Sequence, residues 1–554
     1  MSNTERWASR VGLVLAMAGN AVGLGNFLRF PAQAAKNGGG AFLIPYIVAL
    51  LLLGLPLMWV EWTMGRYGGQ HGHHSTPGIL QSMGRSRLWK YFGVMGLWSC
   101  LVVASYYVYI ESWTLAYSWH SLTNGFAAES GHDYFVRLVG EEENKVLSIS
   151  GWGMGIFATC IVLNVFILSK GLAKGIELVA KIGMPILILF AGVLAVRGLM
   201  IDPATDTQAV ASPLEGLNFV WEPKFDRLSS PSVWLAAAGQ IFFTLSIGMG
   251  SIHCYSSYLR RKDDVALTGA TTAWTNEFCE VVLGGAILIP IGVAYLGLQG
   301  VQDRVAGGSG FGLGFMVFPE LFRNWGAFAP VAGFMWFGLL FFAAITSSLA
   351  MGQPIMAFLQ DNFGYSRRGA ALAFGGLLTA LAVPVAIFHE MTFNGEFDYF
   401  AGSFMLVVFA FVEIVLFAWV FGIDKGWAEL NHGAELQVPQ VFRFVMKWVT
   451  PLLLLVILVS YIFTPAAGWE AYLSAWAGGP AAPPWEWGGD GLIGKLFHKD
   501  LVTSASDGPA RIAFIEDVKT VRNWDRLAMV AVYLFFCWLV ARAWKRRAAA
   551  GGAP

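Results

Sequence analysis

The sequence predicts an all-α integral membrane protein of twelve transmembrane helices, arranged as a 5+5 inverted repeat in which spans one and six break at mid-membrane. Three observations predict it. Of 554 residues 56% are hydrophobic and only 13% charged, with a mean hydropathy of +0.57, more apolar surface than a soluble core of this size can bury. Apolar stretches of the ~20 residues that cross a bilayer recur along the chain. Two of them, at corresponding places in the two halves, are interrupted by glycines and polar residues where a spanning helix should be plainest.

Span one, 10–33, carries the first interruption, Gly19-Asn20-Ala21-Val22-Gly23-Leu24-Gly25-Asn26-Phe27-Leu28-Arg29-Phe30-Pro31. Glycine weakens a helix by about 1 kcal/mol relative to alanine, and an asparagine or arginine at membrane depth needs a partner. Freed backbone groups at that depth are tolerated only where protein or a wet cavity satisfies them, so the break implies a binding site. Spans two to five are the apolar runs 40–67, 88–120, 151–168 and 175–198. Span six, 232–258, repeats the interruption at Phe243-Thr244-Leu245-Ser246-Ile247-Gly248-Met249-Gly250-Ser251. Spans seven to ten follow at 265–297, 328–360, 369–388 and 397–422. An odd number of spans per half inverts the second half against the first, and paired broken segments of this kind point to a transporter site between inverted repeats. Span eleven is 442–464 and span twelve 526–544.

The domain reading follows. Residues 1–464 form a transporter core, with repeats at about 10–198 and 232–422 plus span eleven; 465–525, rich in Trp, Gly and Pro, is an irregular external loop; 526–554 is span twelve with a basic tail.

Basic residues set the orientation. Arg66, Arg85, Arg87 and Lys90, then Lys170 and Lys174, then Arg260, Arg261 and Lys262, then Arg367 and Arg368, and finally Lys545, Arg546 and Arg547 fall in alternate loops. These loops share one side, so both termini are read as cytoplasmic. Opposite loops lean acidic, as at Glu129, Asp133, Glu141, Glu142 and Glu143, or Asp202, Asp206, Glu215, Glu222 and Asp226. The N-terminus reads as a span and not as a cleaved signal, and a formal net charge of zero argues against a nucleic-acid partner. Five cysteines without metal-like spacing are expected to be free thiols. No zinc-protease motif, nucleophile elbow or P-loop is present, so an enzyme is not expected. The cluster His71-Gly72-His73-His74 is read as a solvated cytoplasmic loop, with metal binding as the alternative.

Trp7 through Gly69, with Gln240–Gly250, Thr275-Asn276-Glu277, Thr346-Ser347-Ser348 and Asp398-Tyr399-Phe400-Ala401-Gly402, resembles the neurotransmitter:sodium symporter family, most nearly its bacterial amino-acid members such as the leucine transporter. The resemblance covers spans one to ten. It implies sodium-coupled uptake of an amino acid, with spans one, two, six and seven rocking against the rest, in the inner membrane of a bacterium. The oligomeric state stays open.

By similarity, one sodium would use Ala21, Asn26, Thr244 and Asn276, and a second Gly19, Val22, Ala343, Thr346 and Ser347. The chemistry agrees, because sodium is a hard cation that prefers oxygen ligands. The substrate site would comprise Asn20, Ala21, Leu24, Gly25, Val103, Tyr107, Phe243, Thr244, Ser246, Met249, Ser347 and Met351. Amides freed near Leu24 and Gly25 lie at a half-helix end, which favours a carboxylate, and Tyr107 can add its hydroxyl. The family's monoamine carriers place an aspartate at the Asn20–Ala21 end; this chain has none, which favours a zwitterionic amino acid. The remaining lining is apolar, with methionines able to repack.

The resemblance also implies an external gate of Arg29 and Asp398, charges costing roughly 2.5–3.5 kcal/mol at a helix centre unless compensated. It implies an internal gate of Trp7, Tyr258 and Asp361, in which Arg6 replaces the arginine that the family carries at Thr4. Gly175 and Pro185 match a hinge motif in span five. Glu280 stands where chloride-dependent members carry a small hydroxyl residue, so a tethered carboxylate would substitute for chloride. It can also take up a proton when sodium leaves. Glu61, Glu111, Glu277 and Glu413 are expected to bond unwound amides or neighbouring hydroxyls.

Overall fold

The computed structural model describes residues 5–141, 145, 147–306, 310–391, 393–501 and 508–549; the expected acidic positions Glu142 and Glu143, and Thr4, lie outside them. Among the described residues ten helices are long and apolar enough to cross a membrane, and one bent pair brings the number to eleven. The fold is all-α and largely membrane-spanning.

The bent pair is α1 (Arg10–Ala21) and α2 (Gly25–Lys36), which meet at 50°. Ser9 caps α1 by accepting the Gly12 N–H, and the helix stops where Val22 turns extended at ψ 101°. The chain resumes through a wide turn over Gly25–Arg29, and Pro31 lies in the first turn of the regular helix beyond it, where a missing N–H costs nothing. Next come α3 (Gly40–Gln70), α4 (Trp89–Leu122), α5 (Gly151–Ser169) and α6 (Leu172–Leu199).

The second interruption separates α7 (Pro231–Leu245) from α8 (Ser251–Ser256). Ser246, Gly248 and Gly250 take φ of +54°, +73° and +94°, a left-handed path that ends one helix before the next begins. At 15 residues α7 is too short to cross alone. Then come α9 (Val265–Ala306), bent at Gly297 with φ +72°, α10 (Gly326–Phe363), α11 (Arg367–Ile387), α12 (Gly395–Leu430), α13 (Val441–Ile462) and α14 (Pro509–Ala549).

Burial sorts these into centre and rim. The apolar stretch of α4 is 94% covered by protein, whereas those of α5, α13 and α14 are 33%, 33% and 22% covered and face outward. α4 and α10 pack along each other through the middle, against the breaks of α1/α2 and α7/α8.

One boundary differs from expectation. The segment 465–525 is not irregular throughout: Gly468–Trp476 and Leu492–Leu496 are helical, and α14 starts at Pro509. Its first turns carry Arg511, Glu516, Asp517, Lys519, Arg522 and Asp525, too polar to read as a span yet good helix formers. Arg522 and Arg526 anchor this end by pairing with Glu396 of α12.

Candidate functional site

The two interruptions face each other and enclose a cavity of about 20 Å³. Asn20, Ala21, Gly23, Gly25 and Asn26 line it from α1/α2, Phe243, Thr244, Ser246 and Met249 from α7 and its break, Val103 and Tyr107 from α4, Ser347 and Met351 from α10. The expected substrate residues are thus brought together, apart from Leu24, which is buried behind the wall and presents its N–H to Tyr107 Oη at 3.0 Å. Gly23 and Asn26 were not among them. Close approach explains the glycines: a Cβ on Gly23 would lie 2.7 Å from Tyr107 Oη, and one on Gly25 would lie 2.6 Å from Phe243 Cε1. Among the described residues no charged side chain lines the cavity.

Two polar networks flank it. In the first, Asn26 Oδ1 accepts the Gly23 N–H at 2.8 Å, bracing the break, while Asn26 Nδ2 donates to Asn276 Oδ1 at 2.9 Å and Glu280 Oε2 at 3.0 Å. Asn276 Nδ2 donates to Thr244 Oγ1 at 2.9 Å, Gln240 Nε2 to Glu280 Oε1 at 2.7 Å, and the Thr244 hydroxyl to Glu280. Glu280 is fully buried and is the hub. In the second, Ser347 Oγ lies 3.3 Å from Gly19 O, 3.4 Å from Asn20 O and 3.1 Å from Ala343 O, and Thr346 Oγ1 donates to Phe342 O and Ala343 O at 2.8 and 3.2 Å. Val22 follows at the end of α1, where its extended conformation turns the backbone out of the helix. Ser246 Oγ donates to Asn20 O at 3.0 Å, tying the two breaks directly.

The expected gates are arranged differently. Arg29 and Asp398 make no direct ion pair: the Arg29 guanidinium lies 4.3 Å over the Phe243 ring, and Asp398 Oδ1 accepts the Tyr106 hydroxyl at 2.7 Å. Stacking on an aromatic face compensates the cation and a phenol compensates the anion, so each charge is satisfied separately. On the other side, Arg6 is exposed and unpaired with Asp361, whose Oδ2 accepts the His74 N–H at 2.9 Å. Ion pairs found there join Glu5 with Arg367 at 2.9 Å and Arg10 with Glu435 at 2.7 Å. Trp7 Nε1 donates to Tyr255 O at 3.1 Å, and Tyr258 stacks on His74 at 4.4 Å. Arg6, Trp7 and Tyr258 line a second cavity of about 300 Å³ with Arg260, Asp263 and Glu435. The three histidines of the 71–74 loop disperse: His71 meets Tyr67 O, His73 meets Arg547 and His74 meets Ser257.

Of the hinge pair, Pro185 lies inside α6, while Gly175 sits in its wide first turn, where a Cβ would come 2.3 Å from Ile167 O. The buried acids also have partners. Glu61 Oε1 accepts the Gly248 N–H at 2.6 Å, Glu111 accepts Ser348 Oγ at 2.7 Å and Asn164 Nδ2 at 2.9 Å, and Glu277 accepts Tyr46 Oη at 2.6 Å. Glu413 meets neither amide nor hydroxyl and faces His253.

Residues 4–145 and 127–485 match the Sodium:neurotransmitter symporter family. The chain is 31% identical over 467 residues to an uncharacterized sodium-dependent transporter of Methanocaldococcus jannaschii, covering 84% of this chain and 90% of that one. It is 27% identical over 590 residues to sodium-dependent nutrient amino acid transporter 1 of Drosophila grimshawi, covering 94% and 88%. The crystal structure of MhsT in complex with L-phenylalanine superposes with a TM-score of 0.69 at 27% identity, over 82% of this chain and 99% of that one.

Proposed function

The chain belongs to the sodium:neurotransmitter symporter family, and from that premise we propose that it couples sodium entry to uptake of neutral, hydrophobic L-amino acids by alternating access. It is a transporter and not an enzyme. The observation that carries the reading is the cavity between the two breaks, whose walls offer hydroxyls and freed backbone on one side, apolar side chains on the other, and no fixed charge. A zwitterion suits such walls, since both its charges can be met by dipoles. An anionic or cationic side chain would be desolvated without a partner.

In this reading one sodium is held by Ala21, Asn26, Thr244 and Asn276 with the substrate carboxylate, and another by Gly19, Val22, Ala343, Thr346 and Ser347. Supporting it, the Asn26, Asn276 and Thr244 side chains interlock at the first place, the Ser347 and Thr346 hydroxyls meet the Gly19 and Ala343 carbonyls at the second, and sodium travels as cargo. The carboxylate meets the amides near Leu24 and Gly25 with the Tyr107 hydroxyl, and the amine meets carbonyls near Ala21, Phe243 and Ser246. Val103, Met249, Ser347 and Met351 shape the side-chain pocket. Arg29 and Asp398 close the outer side through Phe243 and Tyr106; Trp7, Tyr258 and Asp361 close the inner side, with Glu5–Arg367 as its ion pair and Arg6 taking no part. Glu280 stands in for chloride, and Gly175 with Pro185 forms the hinge.

Counting α1/α2 and α7/α8 as one broken span each gives twelve spans, with 1–464 as the core, 465–525 outside and both termini in the cytoplasm of a bacterial inner membrane. Cysteine labelling at 478 and at 550 in intact cells tests that orientation.

The function is tested by binding of radiolabelled leucine, methionine, phenylalanine and tryptophan to the purified chain in sodium, potassium or choline. Binding should collapse without sodium, and Asn26→Ala, which removes three buried side-chain hydrogen bonds, should weaken it about tenfold or more. Full binding without sodium, or glutamate, lysine or a monoamine competing best, overturns the reading.

A further inference from the structure

Beside the break between α7 and α8, three ionisable side chains meet with no solvent exposure: Glu61 of α3, His253 of α8 and Glu413 of α12. One nitrogen or oxygen from each lies within 4.8 Å of the other two. His253 Nδ1 is 3.4 Å from Glu61 Oε2, and Nε2 is 3.5 Å from Glu413 Oε1. Glu61 Oε2, both ring nitrogens and both Glu413 oxygens find no hydrogen-bond partner outside the cluster among the described residues. Native interiors rarely leave such atoms unsatisfied, so a cluster of five asks for a ligand.

Charge identifies the ligand. Two carboxylates beside a neutral imidazole would hold two negative charges at membrane depth, where burial of an unpaired charge costs several kcal/mol or more. Among the described residues no lysine or arginine pairs with them. Among the described residues the neighbouring elements add the Cys100 thiol of α4, which contacts Met249 O, and the Phe409 ring of α12, 6.1 Å from His253. Neutrality therefore requires two protons on three groups: one on each carboxyl, or one shared by the carboxyls and one on the imidazole. An ordinary buried ion pair has one acid per base; this cluster has two. None of the three lines the cavity or touches a residue assigned to sodium.

The site is wired to the break, because Glu61 Oε1 accepts the Gly248 N–H at 2.6 Å. A carboxylate accepts such a bond more strongly than a carboxylic acid does. Ser246 and Met249, on either side of Gly248, form two walls of the cavity.

We propose that Glu61, His253 and Glu413 form a buried proton-binding site whose occupancy sets how firmly α3 holds the break between α7 and α8. Loss of one proton to water leaves the cluster with a single negative charge and tightens the Gly248 N–H on Glu61. Regain of the proton loosens it. Since the break supplies cavity walls, amino-acid affinity then varies with pH through residues that touch neither substrate nor sodium.

Infrared difference spectroscopy of the purified full-length chain in sodium-free buffer, stepped from about pH 8 to about pH 5, the range in which imidazole and perturbed carboxyls titrate, reads the site without any substrate. Wild type should gain carboxylic-acid absorbance. Glu413→Gln should remove one component, and His253→Gln should move the midpoint of what remains. Glu280→Gln is run beside them so that its own band is not credited to this cluster. Two single variants at different helices keep the test intact if one fails to purify as a monodisperse species. In a second arm, wild-type amino-acid affinity in saturating sodium should change several-fold over the same range, and His253→Gln should flatten the profile. Identical carboxyl bands in wild type, Glu413→Gln and His253→Gln would overturn the proposal, as would a stoichiometric transition metal retained by wild type and lost from Glu413→Gln. Failure of the second arm alone, with the bands behaving as expected, overturns the coupling to the break. A chain that binds no amino acid in sodium would fail the proposed function and leave the infrared result standing.

Discussion

Asn26 of α2 and Glu280 of α9 are joined side chain to side chain, Nδ2 donating to Oε2 at 3.0 Å in the fully buried interface between the two helices. The same carboxyl group takes Gln240 Nε2 at 2.7 Å and the Thr244 hydroxyl. One buried acid thus organises three side chains, Asn26 of α2 and Gln240 and Thr244 of α7, of which Asn26 and Thr244 are the ones proposed as sodium ligands.

Shortening that acid strands its donors. In Glu280→Ser the Asn26 and Gln240 amides would each lose a buried partner, at about 1–3 kcal/mol apiece, unless an external anion enters the space. Wild-type uptake into proteoliposomes should be the same in chloride and gluconate. Glu280→Ser should transport in chloride and lose about tenfold or more in gluconate, the factor that ~1.4 kcal/mol represents. A wild type that needs chloride refutes the substitution.

The Phe243 ring is held between Gly25, whose added Cβ would lie 2.6 Å from it, and the Arg29 guanidinium 4.3 Å away. Gly25→Ala must therefore displace the ring toward the cavity or dislodge the cation. Competition binding should show affinity falling about tenfold for tryptophan and phenylalanine, with alanine and valine affected less, as overpacking by a methyl group costs ~1–3 kcal/mol. A uniform loss across side chains would mean that Phe243 does not bound the substrate side chain.

Much of this arrangement was legible in the residues. Glycine, asparagine, arginine and proline crowded into Gly19–Pro31 mean an interrupted helix, and the chain breaks between α1 and α2 there. The partners of charged groups were not legible. Arg29 on the Phe243 face and Asp398 under the Tyr106 hydroxyl depend on side chains approaching across helices, and no spacing within one helix encodes that. The early start of α14 was hidden because a hydropathy window measures apolarity, and the first turns of that helix are helical but charged. His253 was invisible for a related reason: a lone histidine in an apolar run acquires meaning only when Glu61 and Glu413 arrive from distant helices.

Between α13 and α14, Glu470 fastens the Gly468–Trp476 helix to the start of α7. Burial alone would raise its carboxyl, but hydrogen bonds from Ser230 Oγ at 2.6 Å and the Ser232 N–H at 3.1 Å outweigh this and hold it at about 2. A folded-state value below the ordinary carboxylate range means stability present above about 4.5 and lost as pH falls toward about 2. The carboxylate is partly exposed, so the effect is modest and screened by salt. Limited proteolysis within 465–501 should accelerate as pH falls through that window. Glu470→Gln should be cleaved faster than wild type already at neutral pH. Equal cleavage of the two at neutral pH would show that the contact does not hold the segment.

Span five poses the last question, because its two marker residues are explained by different physics. Gly175 is required by packing: an added Cβ would sit 2.3 Å from the Ile167 carbonyl, so Gly175→Ala should lower thermal stability whether or not the helix ever opens. Pro185 is exposed on the helix surface; it removes an N–H from the interior of α6 and crowds the carbonyl of Lys181, a cost of roughly 3 kcal/mol that weakens the stretch below it. That stretch includes Glu177, which accepts the Ala8 N–H at 2.7 Å and Ser9 Oγ at 2.9 Å and so holds the start of α1. Unwinding it would loosen α1 and open a path toward the cluster around Gly19 and Ser347. Pro185→Ala restores the missing N–H and should stabilise the closed helix, slowing sodium release and turnover about tenfold, well within what ~3 kcal/mol permits. Equilibrium binding of sodium and amino acid at the closed site should change little. Turnover and sodium release are read in proteoliposomes and by stopped-flow, and unchanged rates in Pro185→Ala would leave the proline as an ordinary kink.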